Sequence, residues 1–486
     1  MKIEPELVGR TYDDFLFRPR KGIVATRKAV ALTSPLTRSI PLELPVVAAN
    51  MDSVTGGEMA KAMALEGGLG FIHRGMPIKA QVREVEWVKR SHGFVVEEPF
   101  RVARGTPLGE ARQLMRKRGT SLLVEDADGS GILAGVLSAR DVPWFEGGDD
   151  QAVEAFMTPF DALRTAPPGV SLDEAERLLY ENRVEKLPLV DEERRIRGLI
   201  TKRDVILHRH RPDVSKDAKG RLLVGAATGA TGDFLERAEA LVGAGADVIL
   251  VDVAHAHSEV MAHALDRFRA RLPDTPLVAG NVGTAEGARF LADLGVDGIK
   301  VGIGPGRGCR TRLETAAGVP QLQAVREAWL AVGDEVPIIA DGGVKDDKDI
   351  FLAIVCGAST VMLGSALSGT RESPGHVIED PATGQKLKIY RGMTSPQAVL
   401  RSLHEDVGGE AEVARALETP AEGQEVQVPF KGNAADILAR IRGHLRSAVS
   451  YAGGESLAAA RAAVVRAPME HLIPLSEASR RESYER

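Results

Sequence analysis

The chain has two cysteines in 486 residues, and one of them, Cys309, lies in GIGPGRGCRTR (302–312). A thiol attacks as its thiolate, and a neighbouring cation favours that form. Arg307, Arg310 and Arg312 are near it in sequence, and one of them near in space would supply that cation. Gly302, Gly304, Gly306 and Gly308 permit turns that a side chain forbids. An isolated cysteine is more often a small buried hydrophobe, but a glycine-rich loop beyond a strand is a poor place to bury one. Cys356, in the apolar helix-like run IFLAIVCGAST, reads as core.

Two further stretches have binding chemistry. ADGG (340–343) and LGSALSGT (363–370) each follow an apolar strand. Glycine-rich turns there can hold a phosphate on backbone N–H groups, and Asp341 can accept hydrogen bonds from ribose hydroxyls. The plainer reading is two tight turns. His255 and His257 in DVAHAHSE, with Asp252 and Glu259, raise the question of a metal, but no third histidine or cysteine has suitable spacing nearby. A polar strand end facing a cofactor fits better.

The elements that must position these residues are a series of short apolar runs. They are PVVAANMD (45–52), LGFIHR (69–74), LLVGAATG (222–229), VILVDVAH (248–255), PLVAGNVG (276–283), GIKVGIGP (298–305), PIIADGG (337–343) and TVMLGSAL (360–367). From Leu222 onward they alternate with helix-like segments such as 233–246 and 285–296, whose apolar positions recur at three and four residues. Runs that are apolar throughout imply strands covered on both faces, hence a parallel sheet. Eight of them predict a (β/α)8 TIM barrel, with the candidate residues after the strands, on the active-site face. An open doubly wound sheet is the alternative, but no GxGxxG follows the first strand.

The spacing breaks once, between Arg74 and Leu222, a gap too long for a loop. An inserted domain is expected there. It repeats itself: GVLSARD (135–141) is echoed by GLITKRD (198–204), each after a helix-like run and an apolar strand. Two units of roughly 60 residues packed together are implied. Near the C-terminus, residues 404–432 are charged and lack periodicity, and read as an excursion over the barrel mouth.

Bulk properties exclude several classes. The chain is 44% apolar and 27% charged with a net charge of −6, which gives no sign of a nucleic-acid partner. Two cysteines make no disulfide framework and fit a reducing cytoplasm. No membrane partner is expected, since no apolar run reaches the roughly 18 residues of a span. MKIEPELVGR has no apolar segment after its charges, so no signal peptide is expected.

Taken in order, GIGPGRGCRTR…GVPQ, ADGG, LGSALSGT, YRGM and PFKG on a barrel resemble the IMP dehydrogenase and GMP reductase family. YDDFLFRP (12–19) is similar to its N-terminal signature. The 93–212 insertion, in FMTPFDALRTAP and VEKLPLVD, resembles a pair of CBS domains (about 93–150 and 151–212), a nucleotide-sensing module. Residues 1–92 and 213–486 would then form the barrel, with a mobile flap at about 394–430.

The resemblance implies a covalent step, in which Cys309 bonds to C2 of a purine base and hydride passes between C2 and a nicotinamide. It implies Thr311 as the partner for leaving ammonia, Asp341 on the ribose, and Gly343, Gly364, Ser365 and Tyr390 at the phosphate. Met51, Gly392, Met393 and Glu422 would frame the base, Glu422 accepting from the ring N1–H. Asp252, Ala254 and His255 fall where the cofactor passes: NADPH for a reductase, NAD for a dehydrogenase. The backbone of Gly304, Gly306 and Cys309 would hold a monovalent cation such as K+. Asp141 and Asp204 match ribose-contacting positions of CBS relatives, with ATP and GTP as expected regulators. A cytoplasmic homotetramer or octamer acting on GMP or IMP is expected.

Between the two activities the residues favour the reductase. Dehydrogenases hydrolyse the adduct with an Arg-Tyr pair on the flap, and the stretch after YRGM has no such pair and no tyrosine. AANMD (48–52), DVAHAHSE, EGQEVQVPFKG (422–432) and RSAVSYAGG (446–454) are more similar to reductases. Some positions depart from the family pattern. Arg307 replaces a serine, which removes one phosphate contact unless the guanidinium replaces it. Arg310 replaces a threonine, while Thr311 keeps the second one. The reductase glutamate falls at Pro396 or Gln397, neither of which is a base. A CBS pair is more typical of the dehydrogenase. The expectation is a GMP reductase of purine salvage carrying a CBS pair. The alternatives are an IMP dehydrogenase using another arginine, such as Arg401 or Arg415, and a non-catalytic nucleotide sensor, against which Cys309 argues.

Overall fold

The computed structural model describes residues 2–91, 95–96, 99–118, 121–143, 148–210, 213–393, 395 and 422–484. The chain divides into two compact units: Met1–Lys89 with Asp213–Asp217 and Leu222–Arg486, and Arg90–Pro212 with Ala218–Arg221.

In the larger unit eight parallel strands close into a barrel. They are β1 (Val46–Ala48), β2 (Leu69–Ile72), β3 (Gly225–Thr228), β4 (Val248–Asp252), β5 (Leu277–Val282), β6 (Gly298–Val301), β7 (Ile338–Asp341) and β8 (Thr360–Leu363), with β8 pairing β1. These are the eight runs read from the sequence, and the fold is the expected (β/α)8 barrel. Helices after the strands begin at short polar caps. The Ser258 hydroxyl accepts from Met261 N–H, the Thr284 hydroxyl from Gly287 N–H, and Asp346 forms a capping box with Asp349. Each cap satisfies donors a helix start leaves open, so each helix begins soon after its strand.

Val47, Leu69, Phe71, Leu250, Val278, Ile339 and Met362 fill one end of the barrel interior together with Leu36, Ile40 and Leu42 from a small hairpin. The filled core leaves the polar chemistry to the carboxyl ends of the strands. Beyond β8, β9 (Lys386–Arg391) pairs antiparallel with β10 (Glu425–Pro429). Here the structure corrects the sequence reading: the excursion placed at 404–432 ends in a strand, because EVQVP alternates and finds a partner edge. The remainder of that stretch, with Arg401 and Arg415, lies outside the described residues, as do Pro396 and Gln397.

Lys89, 5% exposed, donates through Nζ to Asp217 at 3.0 Å, Leu222 O at 2.9 Å and Asp247 at 2.8 Å. It ties the point where the chain leaves the barrel to the point where it returns. In the smaller unit a helix (Leu108–Arg118) and strands Leu122–Glu125 and Leu133–Leu137 are mirrored by a helix (Leu172–Glu181) and strands Lys186–Val190 and Ile196–Thr201. The repeated motif has the same local chemistry in both copies. The Asp141 carboxylate accepts from the Ser138 hydroxyl at 2.7 Å, and Asp204 accepts from the Thr201 hydroxyl at 2.5 Å.

Candidate active site

Cys309 lies in the turn after β6, half-buried. Its backbone N–H donates to Gly306 O at 3.0 Å, which closes the turn. The thiol donates to Thr311 Oγ1 at 3.1 Å, and the Thr311 hydroxyl donates to Glu422 Oε2 at 2.7 Å. Sequence reading named all three residues but did not foresee this chain of hydrogen bonds, because Glu422 is 111 residues from Thr311. Backbone bonds hold the register: Arg310 N–H donates to Glu422 O at 2.7 Å, and Gln424 N–H to Gly308 O at 3.0 Å. Gly392 must be glycine here, since a Cβ on it would stand 2.3 Å from Gly308 O. Met393 follows it, half-buried.

The three arginines separate in space. Arg310 pairs with Glu314. Arg312 donates to the carbonyls of Ile303 and Val319, and burial holds its pKa below the usual arginine range, with the Cys309 sulfur close enough to oppose that shift. Arg307 is exposed. Cys356 is fully buried, and burial pushes its thiol up to about 12.

A second cluster spans the strand ends, and three of its members, Lys300, Asn50 and Asn281, escaped sequence reading altogether. Lys300 on β6 is 3% exposed and sits between Asp252 of β4, at 2.9 Å, and Asp341 of β7, at 2.7 Å. Asn50 donates to Asp252 at 2.8 Å, and Asn281 to Asp341 at 2.9 Å. Burial works against the Lys300 ammonium, but the two carboxylates outweigh it and raise its pKa. Burial likewise works against ionised Asp252, yet Lys300 and then Asn50 hold its carboxyl below the usual range. Gly280 makes room for this lysine, as a Cβ there would lie 2.5 Å from Lys300 Cβ. A charge inside the apolar run GIKVGIG was the available signal: buried lysines occur with partners.

Around the rim, a Cβ on Gly364 would lie 3.1 Å from the Tyr390 hydroxyl and 3.5 Å from Met51 Sδ. These three residues therefore form one wall. Tyr390 is buried, and desolvation, then Asp341, pushes its phenol up to about 12. Gly343 takes a left-handed φ of +80°. Ser365 offers its carbonyl to Lys431 Nζ at 2.5 Å. Ala254 and His255 are exposed beyond β4, and His257 packs against Phe290 at 4.8 Å between ring centres. No described helix is long and apolar enough to cross a membrane.

A half-buried cysteine on the loop after the sixth barrel strand can be compared with known proteins. Residues 9–485 match the IMP dehydrogenase / GMP reductase domain. Inosine-5'-monophosphate dehydrogenase of Nitrosopumilus maritimus is 43% identical over 92% of this chain and 93% of its own length. The enzyme of the same name from Aquifex aeolicus is 42% identical over 92% and 90%. In structure the chain is similar to a cysteine-to-alanine variant of GMP reductase from Trypanosoma brucei in complex with guanosine 5'-monophosphate. That match has a TM-score of 0.90 at 36% identity and covers 98% of this chain and 97% of that one. The T. brucei reductase in complex with guanosine 5'-triphosphate superposes with a TM-score of 0.80 at 33% identity, covering 96% and 98%. With the domain matched over nearly its whole length, and the thiol on the loop after the sixth barrel strand, the chain belongs to the IMP dehydrogenase / GMP reductase family of oxidoreductases.

Proposed function

We propose that the chain is a GMP reductase, converting GMP to IMP and ammonia at the expense of NADPH. The observation that carries this reading is the hydrogen-bond chain Cys309–Thr311–Glu422, set beside a 394–430 segment that contains no tyrosine. A dehydrogenase must activate water to hydrolyse its adduct, and the Arg-Tyr base for that step is missing. A reductase must protonate a leaving amine, and the chain of hydrogen bonds supplies that proton.

In this reading the thiol proton passes through Thr311 to Glu422, and the Cys309 sulfur adds to C2 of GMP. The C2–N bond breaks, and the 2-amino group leaves as ammonia with the proton Glu422 had accepted. The C2–S bond then breaks as hydride arrives at C2, the electron pair returns to sulfur, IMP leaves, and a proton taken up from solvent restores the thiol. Glu422 Oε2 serves Thr311, which leaves Oε1 to accept from the ring N1–H. Asp341 takes the ribose hydroxyls, and the turns at Gly343 and Gly364–Ser365, with Tyr390, take the phosphate. A nicotinamide cofactor supplies the hydride when bound. Asp252, Ala254 and His255 line its approach, and the buried Asn281 Oδ1, which has no donor in the structure, suits a carboxamide N–H. The carbonyls of Gly304, Gly306 and Cys309 are oxygen donors, the ligand type an alkali cation prefers, and K+ is the candidate there. The smaller unit is proposed to be the CBS pair, binding ATP or GTP at Asp141 and Asp204, in a cytoplasmic tetramer or octamer.

The second reading, IMP dehydrogenase with NAD, is favoured by the names of the relatives at 42–43% identity. Absorbance at 340 nm separates the two: loss of NADPH with GMP is expected, and NADH formation from IMP and NAD at a comparable rate would overturn the assignment.

A further inference from the structure

The polar cluster at the strand ends does not balance its own charge. Lys300 stands between Asp252 and Asp341, one cation for two carboxylates. Each carboxylate accepts from the Lys300 ammonium and from an amide that can only donate to it, Asn50 Nδ2 to Asp252 Oδ2 at 2.8 Å and Asn281 Nδ2 to Asp341 Oδ2 at 2.9 Å. Hydrogen bonds given to the charged form keep a carboxylate ionised. Two negative charges and one positive leave a single negative charge over. The cluster is also oriented. The Lys300 side chain is 3% exposed, whereas those of Asp252 and Asp341 are 19% and 22% exposed. The cation lies beneath, and the carboxylates open toward the barrel mouth.

Neighbouring ions do not cancel the excess. Asp52, two residues beyond Asn50, is matched by Arg391 at 3.4 Å. Arg74, beyond β2, also acts on Asp252, but it is exposed, and water and salt screen an exposed charge. A charge left over in a part-buried site acts on what binds beside it far more strongly than it would in water. The two redox forms of a nicotinamide cofactor differ in this respect: the oxidised ring is a cation and the reduced ring is neutral. Hydride given to C2 carries away one proton and two electrons, so the ring is left with a positive charge.

We infer that Asp252, Asp341 and Lys300 act together as one fixed negative charge that favours the oxidised, cationic ring of a nicotinamide cofactor over the reduced, neutral ring, with Asp252 as the residue that sets the preference. The inference rests on the reading above that places the cofactor beside Asp252, but not on the direction of the reaction, because hydride transfer makes or consumes the same ring charge either way. A negative charge already in place where positive charge develops stabilises the transition state of that transfer without rearrangement. Lys300 limits the effect: it removes one of the two carboxylate charges and holds the other two groups in place.

The test is calorimetric binding of NADP+ and NADPH, and of NAD+ and NADH, to the full-length protein with GMP present. All variants carry Cys309→Ala, which blocks turnover, and thermal denaturation checks folding. The quantity read is the Kd of the reduced form divided by that of the oxidised form, in which contacts common to both forms cancel. D252N is isosteric and neutralises the excess charge, and should lower this ratio about ten- to a hundredfold. D252E keeps the charge and should keep most of the ratio. D252N/K300M has lost one carboxylate and the cation, so one negative charge remains, and its ratio should move back toward that of the parent. An unchanged ratio in D252N would overturn the inference, and if both forms weakened equally Asp252 would remain a cofactor contact without the charge role. A ratio in D252N/K300M no closer to the parent than that of D252N would also overturn it, since damage to structure accumulates where charge is restored. If the parent bound no nicotinamide cofactor, the functional reading itself would fall, and the inference with it.

Discussion

Replacing Glu422 with glutamine tests the proposed chemistry most directly. The change is isosteric, and the amide oxygen can still accept from the Thr311 hydroxyl, now at 2.7 Å from the carboxylate. Backbone bonds from Arg310 and Gln424 hold the position independently of the side chain. What glutamine cannot do is take a proton. If Glu422 receives the thiol proton through Thr311 and returns it to the leaving amine, both transfers fail together. Loss of a positioned acid–base group costs about 10²–10⁴ in rate, or about 2.7–5.4 kcal/mol of barrier at 1.36 kcal/mol per tenfold.

The loss should fall mainly on kcat for NADPH oxidation with GMP, and rapid-quench measurement should find ammonia release slowed by the same factor. Thr311→Val should cost about as much, since it breaks the same relay. The double variant should be little worse than the poorer single one, because groups acting as a unit are not additive. E422Q retaining kcat within threefold of wild type, or single losses that multiply in the double variant, would refute the relay.

Cys309→Ala should abolish turnover while GMP still binds by calorimetry, since the thiol makes the covalent bond and not the phosphate contacts; residual turnover above a trace would exclude covalent catalysis. Lys300→Met leaves Asp252 and Asp341 facing each other without their cation, and should cost about 3–5 kcal/mol in urea unfolding; an unchanged midpoint would show that the two carboxylates relax without it. Tyr390 has its pKa raised to about 12, above the unfolded value of about 10. The folded form therefore holds its proton longer, and the associated stability is full below pH 10 and lost as pH rises from about 10 to 12. Tyr390→Phe should flatten that alkaline decline, and an identical decline in both proteins would remove Tyr390 from it. Replacing 93–212 by a short linker should keep basal turnover, because Lys89 Nζ already lies 3.0 Å from Asp217 across the junction. It should also abolish any response to ATP or GTP, and a retained response would place regulation in the barrel.

The barrel was legible because eight apolar runs end in glycine or polar residues and the intervening helices keep their period. The cysteine loop was legible because its glycines have no use in a core. Lys300, Asn50 and Asn281 were not. Each is a single polar residue inside or beside an apolar strand, and only closure of the barrel brings them against Asp252 and Asp341. The Thr311–Glu422 bond and the approach of Lys431 to Ser365 were hidden for another reason. Both depend on β9 and β10 folding back over the mouth, and the alternation in EVQVP is too short to stand out beside the charged residues before it.

The placement of Glu422 also bears on the choice between two chemistries that share one adduct. Everything that holds a purine nucleotide would serve either direction, so the decision lies in what completes the second half-reaction. Glu422, the proposed acid–base side chain, is registered to the Cys309 loop by main-chain bonds on both sides of it, Arg310 N–H to Glu422 O and Gln424 N–H to Gly308 O. Gly392 is packed directly against the cysteine loop. These contacts are all between described residues. A water-activating base would have to come from residues 396–421, and that segment contains no tyrosine. Its arginines would have to act alone, as a group whose ordinary pKa above 12 leaves it a poor base near neutrality. On the proposed reading, a site whose proton carrier Glu422 reaches the thiol through Thr311, with only a poor candidate for a water base, is better suited to releasing an amine than to hydrolysing a thioimidate.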